Sequence, residues 1–146
     1  MDALCPSPKM IKPHTPHGPG FRFLDTFRIE DQCGIGEWHL DPALWFFKDH
    51  FPGNPLAPAA LLLEFAAQTA GALWMSGADS PDSPLFVAAI DAMRIQGPAI
   101  PGETLTSKIQ LVRELGTLAQ FEFEVGVGTR AVARGRITLS RLVASP

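Results

Sequence analysis

Asp49-His-Phe-Pro-Gly-Asn-Pro-Leu-Ala-Pro-Ala-Ala-Leu-Leu-Leu-Glu-Phe-Ala-Ala-Gln68 is the stretch that decides the fold, because its two halves demand opposite backbones. In the first half the turn formers Pro52, Gly53, Asn54 and Pro55 exclude helix and sheet ladder alike and predict an ordered loop. In the second, Pro58 suits the first turn of a helix, Ala59 to Met75 is rich in Ala and Leu, and Gly77 supplies a stop. A helix over 59–75 follows. Its polar residues before Ser76 are Glu64, Gln68 and Thr69, so it is apolar nearly all round and must be enclosed by other structure. The apolar run Ala57 to Met75 approaches a membrane span in length, but it carries Pro58, Glu64 and Gln68, and an isolated carboxylate at the bilayer centre is costly. A buried soluble helix is the better reading.

The rest of the chain supplies the enclosure. Residues 21–30 and 34–40 mix aromatic and β-branched types with polar ones and end at Asp41-Pro42, which predicts two short strands before the helix. After it, Leu85 to Ile90, Leu105 to Leu111, Phe121 to Val127 and Ala131 to Leu139 alternate or run apolar in strand fashion. Strands on both sides of one helix predict an α+β domain in which an antiparallel sheet curls over that helix. Ala133 and Gly135 lie on one strand face, where small residues serve either a close approach of sheet to helix or the passage of an acyl chain. The pattern does not separate these uses.

At 146 residues the chain fits one domain, read here as a Pro-rich, loose N-terminal arm over 1–18 and a single folded domain over 19–146. A composition of 46% apolar and 18% charged residues is that of a globular protein. Twelve basic against fifteen acidic residues leave a net charge of -3, which argues against neutralising many phosphates, so nucleic acid is not an expected partner. Cys5 and Cys33 form neither a CxxC pair nor a disulfide framework, and the first twenty residues lack the continuous apolar core of a secretory signal. A cytoplasmic location, without a membrane, is the expectation. His14 and His17 are three apart in a Pro-rich segment, a poor rigid chelate, and no metal site is expected.

Glu64 is the most informative residue. A carboxylate in an otherwise apolar helix loses hydration that only a partner or a proton replaces, so the sequence predicts a raised pKa and a general acid near neutral pH. Gln68, one turn on, is placed to orient it. His50, in the loop that leads into the helix, is a natural general base. The free amides of the helix N-terminus near Pro58 and Ala59 suit a carbonyl oxygen that becomes an enolate. From the residues alone the plainer alternative stands beside this one: a His that braces a loop and a core Glu that is simply paired.

The same twenty residues closely resemble the signature of the 3-hydroxyacyl-acyl-carrier-protein dehydratases of bacterial fatty-acid synthesis, G-H-F-P-G-x-P-x-x-P-G-x-L-x-x-E-A-x-x-Q. Ile90-Asp91, Arg94 and Pro98-Ala-Ile-Pro-Gly-Glu103 are similar to the family's I-D-x-x-R and P-V-x-P-G-D segments. Pro16-His17 with Phe21 to Asp25 is similar to its P-H-R-x-P-F-L-L-V-D. The resemblance spans roughly residues 16 to 140 and implies the hot-dog fold, a long helix wrapped by an antiparallel sheet. It further implies a homodimer with active sites at the interface, and leaves open whether dimers assemble into a trimer of dimers. It makes His50 the base and Glu64 the acid of a dehydration that yields trans-2-enoyl thioesters on acyl carrier protein, with no metal or organic cofactor. Glu rather than Asp at position 64 resembles the branch that does not also isomerise the double bond.

Three positions depart from the family pattern. Ala59 stands where the family has the Gly whose amide faces the thioester, so the N–H survives while a methyl crowds the approach. Asp49 stands in place of Gly and puts a carboxylate next to His50 in the chain; Ala89 replaces a further Gly. The family's basic stretch after its arginine is here Ile95-Gln-Gly, which leaves Arg94, Lys108, Arg113, Arg130, Arg134 and Arg136 as scattered candidates for carrier docking. These changes fit a specialised relative, in secondary lipid, polyene or polyketide synthesis. A hot-dog acyl thioesterase and a non-catalytic acyl-carrier-binding subunit are the alternatives; the resemblance to H-F-P-G-x-P with Glu64 fourteen residues after His50 favours dehydration over the first, and the presence of both His50 and Glu64 argues against the second.

Overall fold

The computed structural model describes residues 10–11, 15–77 and 84–142; Cys5, His14 and most of the Pro-rich arm lie outside the described residues. Helix α1 runs Ala59–Ser76, with Pro58 extended at its N-cap and Gly77 at its C-cap. Proline there costs nothing, since its missing N–H would have no intrahelical acceptor. Every turn of α1 carries fully covered side chains, among them Leu62, Phe65, Ala66 and Ala70, each exposed by 2% or less.

The cover is one antiparallel sheet of seven strands: β1 (Met10–Ile11), β2 (Thr26–Glu30), β3 (Cys33–His39), β4 (Leu85–Ile95), β5 (Thr104–Leu115), β6 (Leu118–Val127) and β7 (Arg130–Arg141). Their order across the sheet is β1-β2-β3-β5-β6-β7-β4. Helix α1 packs against all of β2 to β7, which a flat sheet cannot achieve, so the sheet curls around it. One helix wrapped by a curled antiparallel sheet is the α+β hot-dog fold. No helix among the described residues is long and apolar enough to cross a membrane.

Three local features differ from the sequence reading. Strand β2 starts at Thr26 instead of near Phe21, because Pro19–Phe21 forms a 3₁₀ turn and the backbone at Phe21 and Phe23 is engaged by a side chain of α1. Strand β4 continues to Ile95, past the predicted end at Ile90, because register shifts at Val87/Ala89 and Ile90/Ala92 break the two-residue alternation. Within the stretch read as a loose arm, Met10 pairs opposite Arg28 and Ile11 opposite Phe27.

The close approach of helix and sheet occurs at Gly36 of β3. A Cβ there would lie 2.5 Å from Thr69 Oγ1 and 2.6 Å from Leu24 Cδ1. Gly135 serves neither use considered for it: a Cβ at that position would run into Ala92 O of β4 and the Phe123 ring, so its bare Cα makes room within the sheet. Around Gly36 the aromatic core closes, with Trp38 4.9 Å from Phe23 and 5.8 Å from Phe65 between ring centroids.

Candidate active site

The loop that carries His50 is rigid for reasons visible in its hydrogen bonds. Phe46 and Phe47 are buried beneath it, His50 N donates to Phe46 O at 2.9 Å, and Phe51 and Asn54 exchange backbone bonds in the tight turn at Pro52-Gly53. Leu56 N donates to His50 O at 2.9 Å, and Ala57 N donates to Ala99 O at 2.8 Å. The imidazole is braced as well: Nδ1 lies 2.9 Å from Leu56 O. A carbonyl oxygen only accepts, so Nδ1 carries the proton and Nε2 presents its lone pair. His50 is half-buried, with its ring stacked 4.3 Å from that of Phe51.

Asp49 is exposed, and among the described residues it makes no hydrogen bond to His50. Ala59 and Ala60 are exposed at the N-terminus of α1, where Pro58 O accepts from Leu61 N and Leu62 N at 3.0 and 3.1 Å. The first helical amides precede any such acceptor, so the Ala59 N–H has no intrahelical partner.

On α1, Glu64 is not enclosed. Its side chain is 25% exposed, so the lost hydration inferred from an apolar helix is only partial. Glu64 and Gln68 lie on the wall of a cavity of about 300 Å³ whose remaining lining is largely apolar, including Gly71, Met75, Leu85 and Val87. Gln68, 3% exposed, uses every polar atom it has: Oε1 accepts from Phe23 N at 2.9 Å, and Nε2 donates to Phe21 O at 2.9 Å and to Glu64 Oε1 at 3.1 Å. His17 Nε2 lies 3.3 Å from the same Glu64 oxygen. No local pattern assigns His17 to this place, since it is 47 positions from Glu64; the sequence marks it only through the Pro16-His17 resemblance and as a poor chelate with His14.

His50 is not among the residues that line the Glu64 cavity. Within one chain, the base candidate therefore lies outside the cavity that the acid candidate lines.

A family model described as a FabA-like domain matches residues 15–136, most of the chain. The chain belongs to the FabA-like family. It is 33% identical over 95 residues to the 3-hydroxyacyl-[acyl-carrier-protein] dehydratase FabZ of Streptococcus mutans, covering 65% of this chain and 68% of that one. It is 34% identical over 93 residues to the bifunctional enzyme LpxC/FabZ of Chlorobaculum tepidum, and there the match spans only 19% of the relative. Among solved structures, the dehydratase heterocomplex ApeI:P from Xenorhabdus doucetiae superposes with a TM-score of 0.71 at 18% identity, covering 88% of both chains. The fluoroacetyl-CoA thioesterase FlK superposes at 0.65 with 12% identity, covering 79% of this chain and 87% of that one. At such identities the two structures show a shared fold, and the fold is common to dehydratases and thioesterases alike.

Proposed function

We propose that this FabA-like protein dehydrates 3-hydroxyacyl thioesters, on acyl carrier protein, to trans-2-enoyl thioesters, with each site built from His50 of one copy and Glu64 of a second. The observation that carries the reading is the position of Glu64, a carboxyl fixed through one oxygen on the wall of an apolar cavity. An acyl chain lies favourably against such walls, and a carboxyl there meets a polar group near the thioester. The separation of His50 from that cavity supports a site completed by a second chain. So does the edge strand β4, which leaves Phe86, Ile90 and Ile95 about half exposed.

In the elimination, the thioester acidifies the α-carbon and His50 Nε2 takes the α-proton. The C–O bond to the 3-hydroxyl breaks as Glu64 gives that oxygen a proton, so one water leaves and a double bond forms. In this reading the Ala59 amide, which has no intrahelical acceptor, holds the thioester oxygen as charge builds on it. Both side chains then return to their starting protonation by exchange with water. His50 starts correctly, since its bond to Leu56 O fixes the tautomer with a free Nε2. Gln68 positions Glu64, while Asp49 is exposed and makes no hydrogen bond to His50 among the described residues.

The test is mass spectrometry of the protein with a 3-hydroxyacyl carrier thioester, followed for loss or gain of one water. Wild type should dehydrate it, and His50→Ala and Glu64→Ala should each fall by about 10²-fold or more while still folding. Release of free thiol would replace the reading with thioester hydrolysis. Binding without any turnover would replace it with a carrier-binding subunit.

A further inference from the structure

We propose that His17 is a positioning residue for the acid, donating from Nε2–H to Glu64 Oε1 so that Oε2 is the oxygen that gives up the proton. The inference rests on the dehydratase reading and adds to it a residue from a different part of the chain.

Gln68 Nε2 donates to Glu64 Oε1 at 3.1 Å and His17 Nε2 lies 3.3 Å from the same oxygen, while Oε2 makes no hydrogen bond among the described residues. A protonated carboxyl has one carbonyl-like oxygen that accepts and one hydroxyl that donates. With both N–H groups on Oε1, the accepting role is taken there and the proton belongs on Oε2. Once that proton leaves, the same two donors face a carboxylate, and hydrogen bonds to a charged acceptor are the stronger kind. His17 and Gln68 thus gain strength as the transfer proceeds, which is the form of interaction that raises kcat.

The placement of His17 is not incidental. Thr15, Pro16 and His17 form part of the wall of the Glu64 cavity. The backbone behind His17 is held by Arg22 Nη2, which donates to His17 O at 2.9 Å, and by Phe21 N, which donates to Gly18 O at 3.0 Å. Gln68 Nε2 reaches both Phe21 O and Glu64, so one buried amide fixes the carboxyl and the segment that carries the imidazole. His17 Nδ1 is buried without a hydrogen-bond partner, which leaves Nε2 as the nitrogen engaged. Among the described residues no lysine or arginine lines this cavity, and His17 and Gln68 are the nitrogen groups beside Glu64 Oε1.

The experiment has a kinetic and a spectroscopic arm. His17→Ala should lower kcat about 10-fold with KM within about 2-fold, the signature of an interaction made mainly in the transition state. His17→Gln, which keeps an N–H donor, should recover to within about 3-fold of wild type. In ¹⁵N spectra of the wild-type protein, His17 should show Nε2–H protected from solvent exchange, and Glu64→Ala should abolish that protection. Equal losses in His17→Ala and His17→Gln, or kcat unchanged in both, would overturn the proposal. Wild type that does not dehydrate but keeps the Glu64-dependent signal would overturn the dehydratase reading and uphold the pairing. Dehydration without that signal would do the reverse.

Discussion

Replacing Gln68 by Leu separates its structural work from its size, since Leu fills most of the volume and makes no hydrogen bond. Three polar contacts disappear, and they are not equivalent. Phe23 is 2% exposed, so its amide cannot turn to water, and a stranded buried donor costs about 1–3 kcal/mol. Phe21 is 44% exposed and its carbonyl can rehydrate, at a cost near zero. Glu64 is 25% exposed and recovers part of its solvation, leaving about 0.5–1 kcal/mol. Burying an apolar side chain in place of the amide returns about 1 kcal/mol. The net loss is about 2 kcal/mol, which at this chain length lowers Tm by about 4–8 °C. Differential scanning calorimetry at neutral pH reads it directly. Gln68→Glu should cost more than Gln68→Leu, because its carboxylate can accept from Phe23 N but repels both Phe21 O and Glu64. A Gln68→Leu protein within 1 °C of wild type, or a Gln68→Glu protein more stable than it, would refute this division of roles.

Gly36→Ala should destabilise by about 1–3 kcal/mol in chemical denaturation, since the new methyl collides with Thr69 and Leu24, and adding Thr69→Ala should recover much of the loss if the collision is the cause. Trp74→Phe should cost about 1–2 kcal/mol by the same assay, because it removes the Nε1–H bond to Glu114 at 2.8 Å and weakens the stacking of Arg141, whose guanidinium lies 4.3 Å from the ring centroid. Gly71→Leu should bias turnover toward short acyl chains, because it projects into the cavity near Leu85 and Met75; equal relative rates across chain lengths would mean the acyl group lies elsewhere.

How much of this was legible in the sequence depends on whether the deciding interaction is local. Helix α1 was, because Pro58, the Ala- and Leu-rich run and Gly77 are each local signals that agree. Strands β6 and β7 were, because their alternation from Phe121 to Val127 and from Ala131 to Leu139 is nearly unbroken. The far half of β4 was not, because two bulges reset its faces, and a bulge is set by the partner strand rather than by its own residues. Gly36 and Gly135 show the same limit. Gly36 carries no local signal and Gly135 left two uses open, and only the fold decides that one meets the helix and the other a neighbouring strand and the Phe123 ring.

The candidate site divides along the same line. His50, Glu64, Gln68 and Ala59 sit within twenty residues and were readable together, whereas the openness of Glu64 and the nearness of His17 come from sheet curvature and a segment 47 positions away. Gln68 links the two. An amide on an apolar helix reads as a modest partner for Glu64, yet its oxygen and nitrogen are also bound to the backbone of Phe23 and Phe21. A side chain with no free polar atom cannot rotate to follow substrate, so it fixes Glu64 as the fold is fixed. That rigidity suits an acid whose task is to present one oxygen in one direction, and it makes the stability of the N-terminal segment and the aim of the carboxyl a single property of the molecule.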